Sequence, residues 1–328
     1  MAVFGLGGTI AMASGTDGVV PSLTAEQLVA AVPMLTGVGV DLDVISFRSR
    51  PGASLTFADL TDLATAVAER LTHGATGVVI TQGTDTIEET AYLLDLLHPG
   101  PQPVVVTGAM RNPTLAGPDG PANLLAAVQT AANPDAAGLG CLVVFADEIH
   151  AASRVRKTHS TSPATFASPT GGPLGYLIEG VPTFVNRPTR RFTVPGPLAH
   201  QPRIGLYPAT LGDDATLLPK LAADVDGLVI AGFGVGHVPD TWIPTLTDLA
   251  DRIPVILASR TGSGPILRTT YGFPGSERDL LDRGLIRAGL LDPYKARVLL
   301  HCLLAAGADR PAITTAFAAA GGIDPVGA

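Results

Sequence analysis

The sequence predicts an α/β protein in two parts: a larger N-terminal domain built on an open, mostly parallel sheet, and a smaller C-terminal α/β domain. Three observations carry this reading. Short runs that are apolar throughout recur along the 328 residues, each followed by Gly, Thr or Asn and then by a helical pattern. With 46% hydrophobic residues, the chain is long enough for more than one core. Between 186 and 203 the pattern lapses into "NRPTRRFTVPGPLAHQPR", where prolines and arginines replace any apolar period. We therefore expect domains at 1–185 and 204–328, joined by a linker at 186–203.

In chain order, the strands are expected at Val78–Thr81, Val104–Thr107, Cys141–Phe145, 228–230 and 255–258. Uniformly apolar runs of this length suit strands buried on both faces of a parallel sheet, because crossover helices cover both sides. Helical patterns lie between them at 57–71 and 86–97, the second placing Ile87, Ala91 and Leu94 on one face. After the linker a strand restarts at 203–207, and "KARVLLHCLLAAG" from Lys295 reads as a buried helix closed by Gly307. No repeat of fixed period is present.

A net charge of −8, with no basic run or stripe, argues against nucleic acid or an anionic membrane as partner and for a small molecule. Cys141 and Cys302 are the only cysteines and have no CxxC or metal-ligand spacing, so buried thiols and no metal are expected. The first dozen residues lack a basic stretch and are broken by Gly5, Gly7 and Gly8, which does not read as a secretory signal. No apolar stretch approaches the ~20 residues of a membrane span. A cytoplasmic protein is expected.

The Gly-rich turn "GLGGTIAM" at 5–12 admits two uses. A dinucleotide fingerprint needs a third glycine at position 10, which holds Ile10, and a phosphate loop needs a lysine, of which none precedes Lys157. The other use is to present Thr9, either as a helix cap or as a reagent. Ligands of open α/β sheets sit outside the carboxyl ends of the strands, so the residues just after each apolar run decide.

After the run at Val78–Thr81, "ITQGTDTIEET" offers Thr84 and Asp85 on a turn, with Thr86 and Glu89 spaced as a capping box for the next helix. After the run at Cys141–Phe145, "RVRKTHSTS" offers Lys157, one of three lysines against eighteen arginines. A desolvated lysine can give up its proton and act as a base, which arginine cannot. Before them, "RSRPGASLTFADL" turns at Pro51 and Gly52, uses Thr56 and Asp59 as a helix cap, and leaves Ser54 in the loop as a candidate donor.

Together, "GLGGTIAM", "ITQGTDTIEETAYLLDLL" and "RKTHSTSPATFASPTGGPLG", followed by "ASR" and "DPYKARVLL", resemble in order the bacterial-type L-asparaginase and glutaminase-asparaginase family. The resemblance implies a cofactor-free hydrolase of the asparagine side-chain amide, assembled as a homodimer or homotetramer. It matches Thr9 to the nucleophile, and Thr84, Asp85 and Lys157 to a second catalytic triad. Ser54 and Asp85 match residues that hold the substrate's α-carboxylate and α-ammonium.

The family completes its pocket from a neighbouring subunit's C-terminal domain, for which Glu277 in "YGFPGSERD" and His237 in "AGFGVGHVPD" are the candidates. Three departures bear on substrate choice. The lid segment "ASGTDGVVPSLTAEQ" has no tyrosine, Leu55 stands where many secreted members have glutamine, and Gln82 stands where histidine is common. Glutamine or D-asparagine as preferred amide, an idle amino-acid sensor and a nucleotide-binding oxidoreductase are the alternatives.

Overall fold

The computed structural model describes residues 1–15, 18–21 and 23–323, with no side-chain detail for 13–22. It forms two compact units, Met1–Thr193 and the residues from Val194 on. The stretch 186–203 carries no helix or strand, and the division falls within it.

In the first unit the chain runs through β1 (Ala2–Gly5), a hairpin of β2 (Met12–Gly15) and β3 (Gly18–Pro21), α1 (Ala25–Ala30), β4 (Asp43–Ser46), α2 (Phe57–Thr72) and β5 (Val78–Thr81). It continues through α3 (Ile87–Leu97), β6 (Val104–Thr107), α4 (Gly120–Ala132), β7 (Cys141–Phe145) and β8 (Glu148–Ala151). Two short strands, β9 (Arg156–Lys157) and β10 (Phe166–Ala167), pair with each other, and β11 (Gly175–Ile178) and β12 (Val181–Phe184) close the unit. Residues 16, 17 and 22 of the lid segment lie outside the described residues.

The main sheet has the order β12-β11-β8-β7-β6-β5-β1-β4. From β7 to β4 neighbouring strands are parallel; β8, β11 and β12 extend the sheet antiparallel at one edge. The expected runs at Val78–Thr81, Val104–Thr107 and Cys141–Phe145 are strands end for end, and every residue in them is buried. Val79, Val105 and Leu142 pack under α4 in a core that also takes Ile10, Leu124 and Val128.

Chain order reverses around β1: β4 lies on one side and β5 on the other. The register puts Gly5 level with both Ser46 and Thr81, so the strands end together and their following loops emerge side by side at a topological switch point.

Helix α2 begins with a full capping box: Thr56 Oγ1 accepts from the Asp59 N–H, and the Asp59 carboxylate accepts from the Thr56 N–H. Burial would raise the Asp59 carboxyl, but hydrogen bonds from Thr56 and the Arg48 guanidinium, with the charge of Arg50, outweigh it and hold it below its usual range. The matching box expected at Thr86 and Glu89 does not form. Thr84–Thr86 is already a tight 3₁₀ turn, and the Thr86 hydroxyl instead donates to Gly52 O at 3.0 Å.

The second unit is a four-stranded parallel sheet of β13 (Ile204–Pro208), β14 (Gly227–Gly232), β15 (Val255–Ser259) and β16 (Ile286–Arg287), in that order. Helices α5 (Leu218–Ala222), α6 (Ile243–Arg252), α7 (Glu277–Asp282), α8 (Pro293–Ala305) and α9 (Arg310–Ala320) accompany it. Its core includes Leu228, Ile230 and Leu257 from the sheet and Leu246 and Leu249 from α6. Trp242 is fully buried among them and satisfies its indole N–H on Asp213 O at 2.8 Å.

Candidate active site

Three loops at the switch point meet through bare backbone. Gly8 sits at φ 85°, in the left-handed region, and a Cβ built on it would lie 2.1 Å from the Gly83 nitrogen. A Cβ on Gly52 would lie 2.7 Å from Gly83 O. Only glycine fits these contacts, and each glycine introduces a chemically useful residue. Thr9 follows Gly8, Thr84 follows Gly83, and Ser54 closes the 3₁₀ turn that Gly52 begins. Ile10 and Ala11 are buried next to the half-exposed Thr9, which anchors the turn that presents it.

Lys157 arrives from a different part of the chain. Strand β9 is only two residues long, with Phe166 opposite Lys157 on β10. The Lys157 N–H also donates to Glu88 Oε1 at 3.3 Å, which ties the strand to the first turn of α3. Its Nζ then reaches two partners at once, Thr84 Oγ1 and Asp85 Oδ1, each at 2.9 Å. Thr84 is buried, whereas the Asp85 side chain is 62% exposed, so the cluster has a covered hydroxyl and a carboxylate open to solvent.

Glu88 escaped the reading of the sequence. It is a buried carboxylate at the start of a helix that is buried nearly all round, with Arg156 Nε 3.9 Å from its Oε2. Asp95 lies on the same face, seven residues on, and pairs with Arg191. That i, i+7 spacing of acids within an apolar helix was the available signal.

Glu277 and His237 lie in the second unit and are paired with each other. The Glu277 carboxylate has no exposure; Oε1 accepts from the N–H groups of Thr270 and Tyr271, and Oε2 is 3.2 Å from His237 Nε2. The His237 ring meets Tyr271 and Phe273 edge-on, each at 4.9 Å between centroids. The structure thus gathers Thr9, Ser54, Thr84 and Asp85 on neighbouring turns of one unit, with Lys157 reaching Thr84 and Asp85 from β9, and Glu277 with His237 in the other.

Both cysteines are buried free thiols. Burial pushes Cys302 up to about 12 and Cys141 well above the usual thiol range, so neither forms a thiolate at neutral pH. Among the described residues, no group of His, Cys, Asp or Glu could hold a metal ion, and no helix is long and apolar enough to cross a membrane.

A hydroxyl bonded to a lysine that is itself bonded to a carboxylate, beside a second threonine on a glycine turn, is suited to acyl transfer. Comparison with known proteins bears on that chemistry. The family described as "Asparaginase, N-terminal" matches residues 1–190, and "Glutaminase/Asparaginase C-terminal domain" matches 203–317. The chain is 38% identical to a probable L-asparaginase of Deinococcus radiodurans, across 97% of this chain and 96% of that one. It is 34% identical to L-asparaginase 2 of Escherichia coli, across 96% and 91%. Among solved structures, the crystal structure of a probable cytoplasmic L-asparaginase from Campylobacter jejuni superposes with a TM-score of 0.86 at 31% identity, covering 96% of this chain and 98% of that one.

Proposed function

The chain belongs to the bacterial-type asparaginase family, and from that premise we propose that it hydrolyses L-asparagine to L-aspartate and ammonia with Thr9 as nucleophile. The observation that carries the reading is Lys157 Nζ within 2.9 Å of both Thr84 Oγ1 and Asp85 Oδ1, on the loop whose Gly83 touches Gly8.

The Thr9 hydroxyl is a weak nucleophile at its free pKa and needs a base. Lys157 serves as that base, through Thr84 and a water molecule, as the Thr9 oxygen bonds to the side-chain amide carbon. The carbonyl oxygen becomes an oxyanion, which N–H groups of the Gly7 to Thr9 turn and of the turn before α3 would stabilise. The proton passes to the amide nitrogen, the C–N bond breaks, and ammonia leaves an ester on Thr9. Water activated by the same base attacks that ester, which releases aspartate and restores the hydroxyl. No cofactor enters.

The substrate is a zwitterion. The Asp85 Oδ1 is engaged by Lys157, so Oδ2 is the oxygen offered to the α-ammonium, with Ser54 on the adjoining loop for the α-carboxylate. A neighbouring copy of the chain, in a homodimer or homotetramer, contributes Glu277 or His237 to the pocket. The similarity to the Campylobacter protein supports a cytoplasmic location.

Purified protein releases ammonia from L-asparagine in this reading, and no release above a Thr9→Ala control overturns it. A panel including L-glutamine and D-asparagine settles the preferred amide. One observation favours a second assignment: the lysine touches Thr84 directly. Mass spectrometry of the acyl-enzyme trapped at low pH distinguishes an ester on Thr9 from one on Thr84.

A further inference from the structure

We propose that Gln82 is a positioning residue of this active site: a buried carboxamide that fixes the turn carrying Thr84 and Asp85 and ties it to the loop carrying Ser54. The proposal rests on the hydrolytic reading above and adds to it a residue to which no role has been given.

Gln82 follows β5 directly, has no exposed surface, and donates its main-chain N–H to Thr107 O at the end of β6. Its side chain turns back over the loop that it precedes. Nε2 donates to Gly83 O at 3.2 Å and to Thr86 Oγ1 at 3.3 Å. Thr86 has given its own proton to Gly52 O, so its hydroxyl can only accept from Gln82. That constraint fixes which end of the carboxamide is nitrogen. Both amide protons are committed, one to each end of the Gly83 to Thr86 turn.

The result is a chain of hydrogen bonds, Gln82 to Thr86 to Gly52, that runs parallel to the backbone contact between Gly83 and Gly52. One strand of the network holds the turn from inside; the other joins it to the loop that presents Ser54. Thr84 and Asp85 lie between the two points that Gln82 grips, so their approach to Lys157 depends on the turn keeping its shape.

The other end of the side chain argues against a purely structural role. Gln82 Oε1 is buried with no hydrogen-bond partner among the described residues. An apolar side chain of the same shape would avoid that unfavourable burial, so a glutamine selected for packing or stability alone is poorly explained. The two donors are what methionine or leucine could not supply.

The test uses Gln82→Met, which keeps the shape and removes the donors, with Thr86→Val as an independent cut in the same chain. Gln82→His returns one ring N–H. Melting temperature, amide hydrogen exchange at residues 84–86, and kcat and KM for L-asparagine are read for each. Positioning predicts that exchange at 84–86 quickens in Gln82→Met and that kcat falls roughly 10- to 100-fold. It further predicts that the melting temperature is held or raised, and that Gln82→His recovers part of the kcat.

Thr86→Val should reproduce the loss, and the double variant should be no worse than the poorer single one. If Gln82→Met does not fold, Thr86→Val and Gln82→His decide by the same readouts. A kcat within twofold of the parent, or a loss of melting temperature with normal kcat in the folded fraction, overturns the proposal. If the parent protein itself leaves asparagine untouched, the hydrolytic reading fails separately, and unchanged exchange at 84–86 then overturns the hold of Gln82 on the turn.

Discussion

Gly8 and Gly83 touch backbone to backbone, so closely that one added carbon on Gly8 would lie 2.1 Å from the Gly83 nitrogen. This contact sets the loop of the proposed nucleophile against the loop of the proposed relay. Gly8→Ala adds a methyl group that has nowhere to go, at a φ of 85° where L-residues are strained. We expect a loss of at least about 2 kcal/mol of stability and near-complete loss of turnover. Thermal melts and steady-state assays on the purified variant check it; a soluble variant with parental kcat would contradict the geometry.

Lys157→Met should lower kcat by about 10²- to 10⁴-fold, the range associated with a positioned acid or base. The fold should survive, because the side chain of Lys157 bonds to the site while its backbone N–H still reaches Glu88. Lys157→Arg should not restore activity, since guanidinium cannot give up its proton at working pH. Recovery of more than a tenth of kcat by arginine would show that charge alone suffices.

Burial holds His150 down to about 4 and, in the second unit, His301 to about 4 as well. In the unfolded chain each takes a proton near 6.5, so acid favours unfolding. The sign follows: stability is full above pH 6.5, falls as the pH drops from 6.5 towards 4, and falls no further through these groups below 4. Each contributes on the order of 1–3 kcal/mol across that window. Urea midpoints measured from pH 7.5 to 4.5 should decline, and His150→Gln should flatten the curve. Parallel curves for parent and variant would remove His150 as the cause.

Cys141 and Cys302 should be silent to iodoacetamide in the native protein and react fully in denaturant, because burial keeps both as thiols. Intact-mass measurement with activity assays checks this, and labelling of the folded enzyme with loss of turnover would be the contrary result.

The strands at Val78–Thr81, Val104–Thr107 and Cys141–Phe145 were legible to the residue because a strand buried on both faces must be apolar throughout. The antiparallel β11 and β12 were not, since they mix exposed and buried positions at a sheet edge and carry a weaker pattern. Within the site, Thr84, Asp85 and Lys157 could be named because each stands just beyond a strand or is a scarce residue type. Glu88 could not be named, and Gln82 stood out only as a departure from the family, because what they do depends on partners that the linear sequence does not reveal. Glu88 reaches a strand 69 positions away, and Gln82 works through a threonine bonded to a loop 34 positions earlier. The failed capping box at Thr86 has the same origin: a local motif gave way to a distant acceptor.

The junction of Gly8, Gly52 and Gly83 also limits how this scaffold can diversify. Where side chains fill a gap, substitution can widen or narrow it by a methylene at a time. Here the gap is already closed to the thickness of two peptide planes, a constant of atomic radii with no adjustable part. A change to any of the three glycines can only push the loops apart and misalign them. Room for a longer or bulkier amide must therefore be carved from the rim of the pocket, leaving the distance between the two threonine loops the same for every substrate that the enzyme accepts.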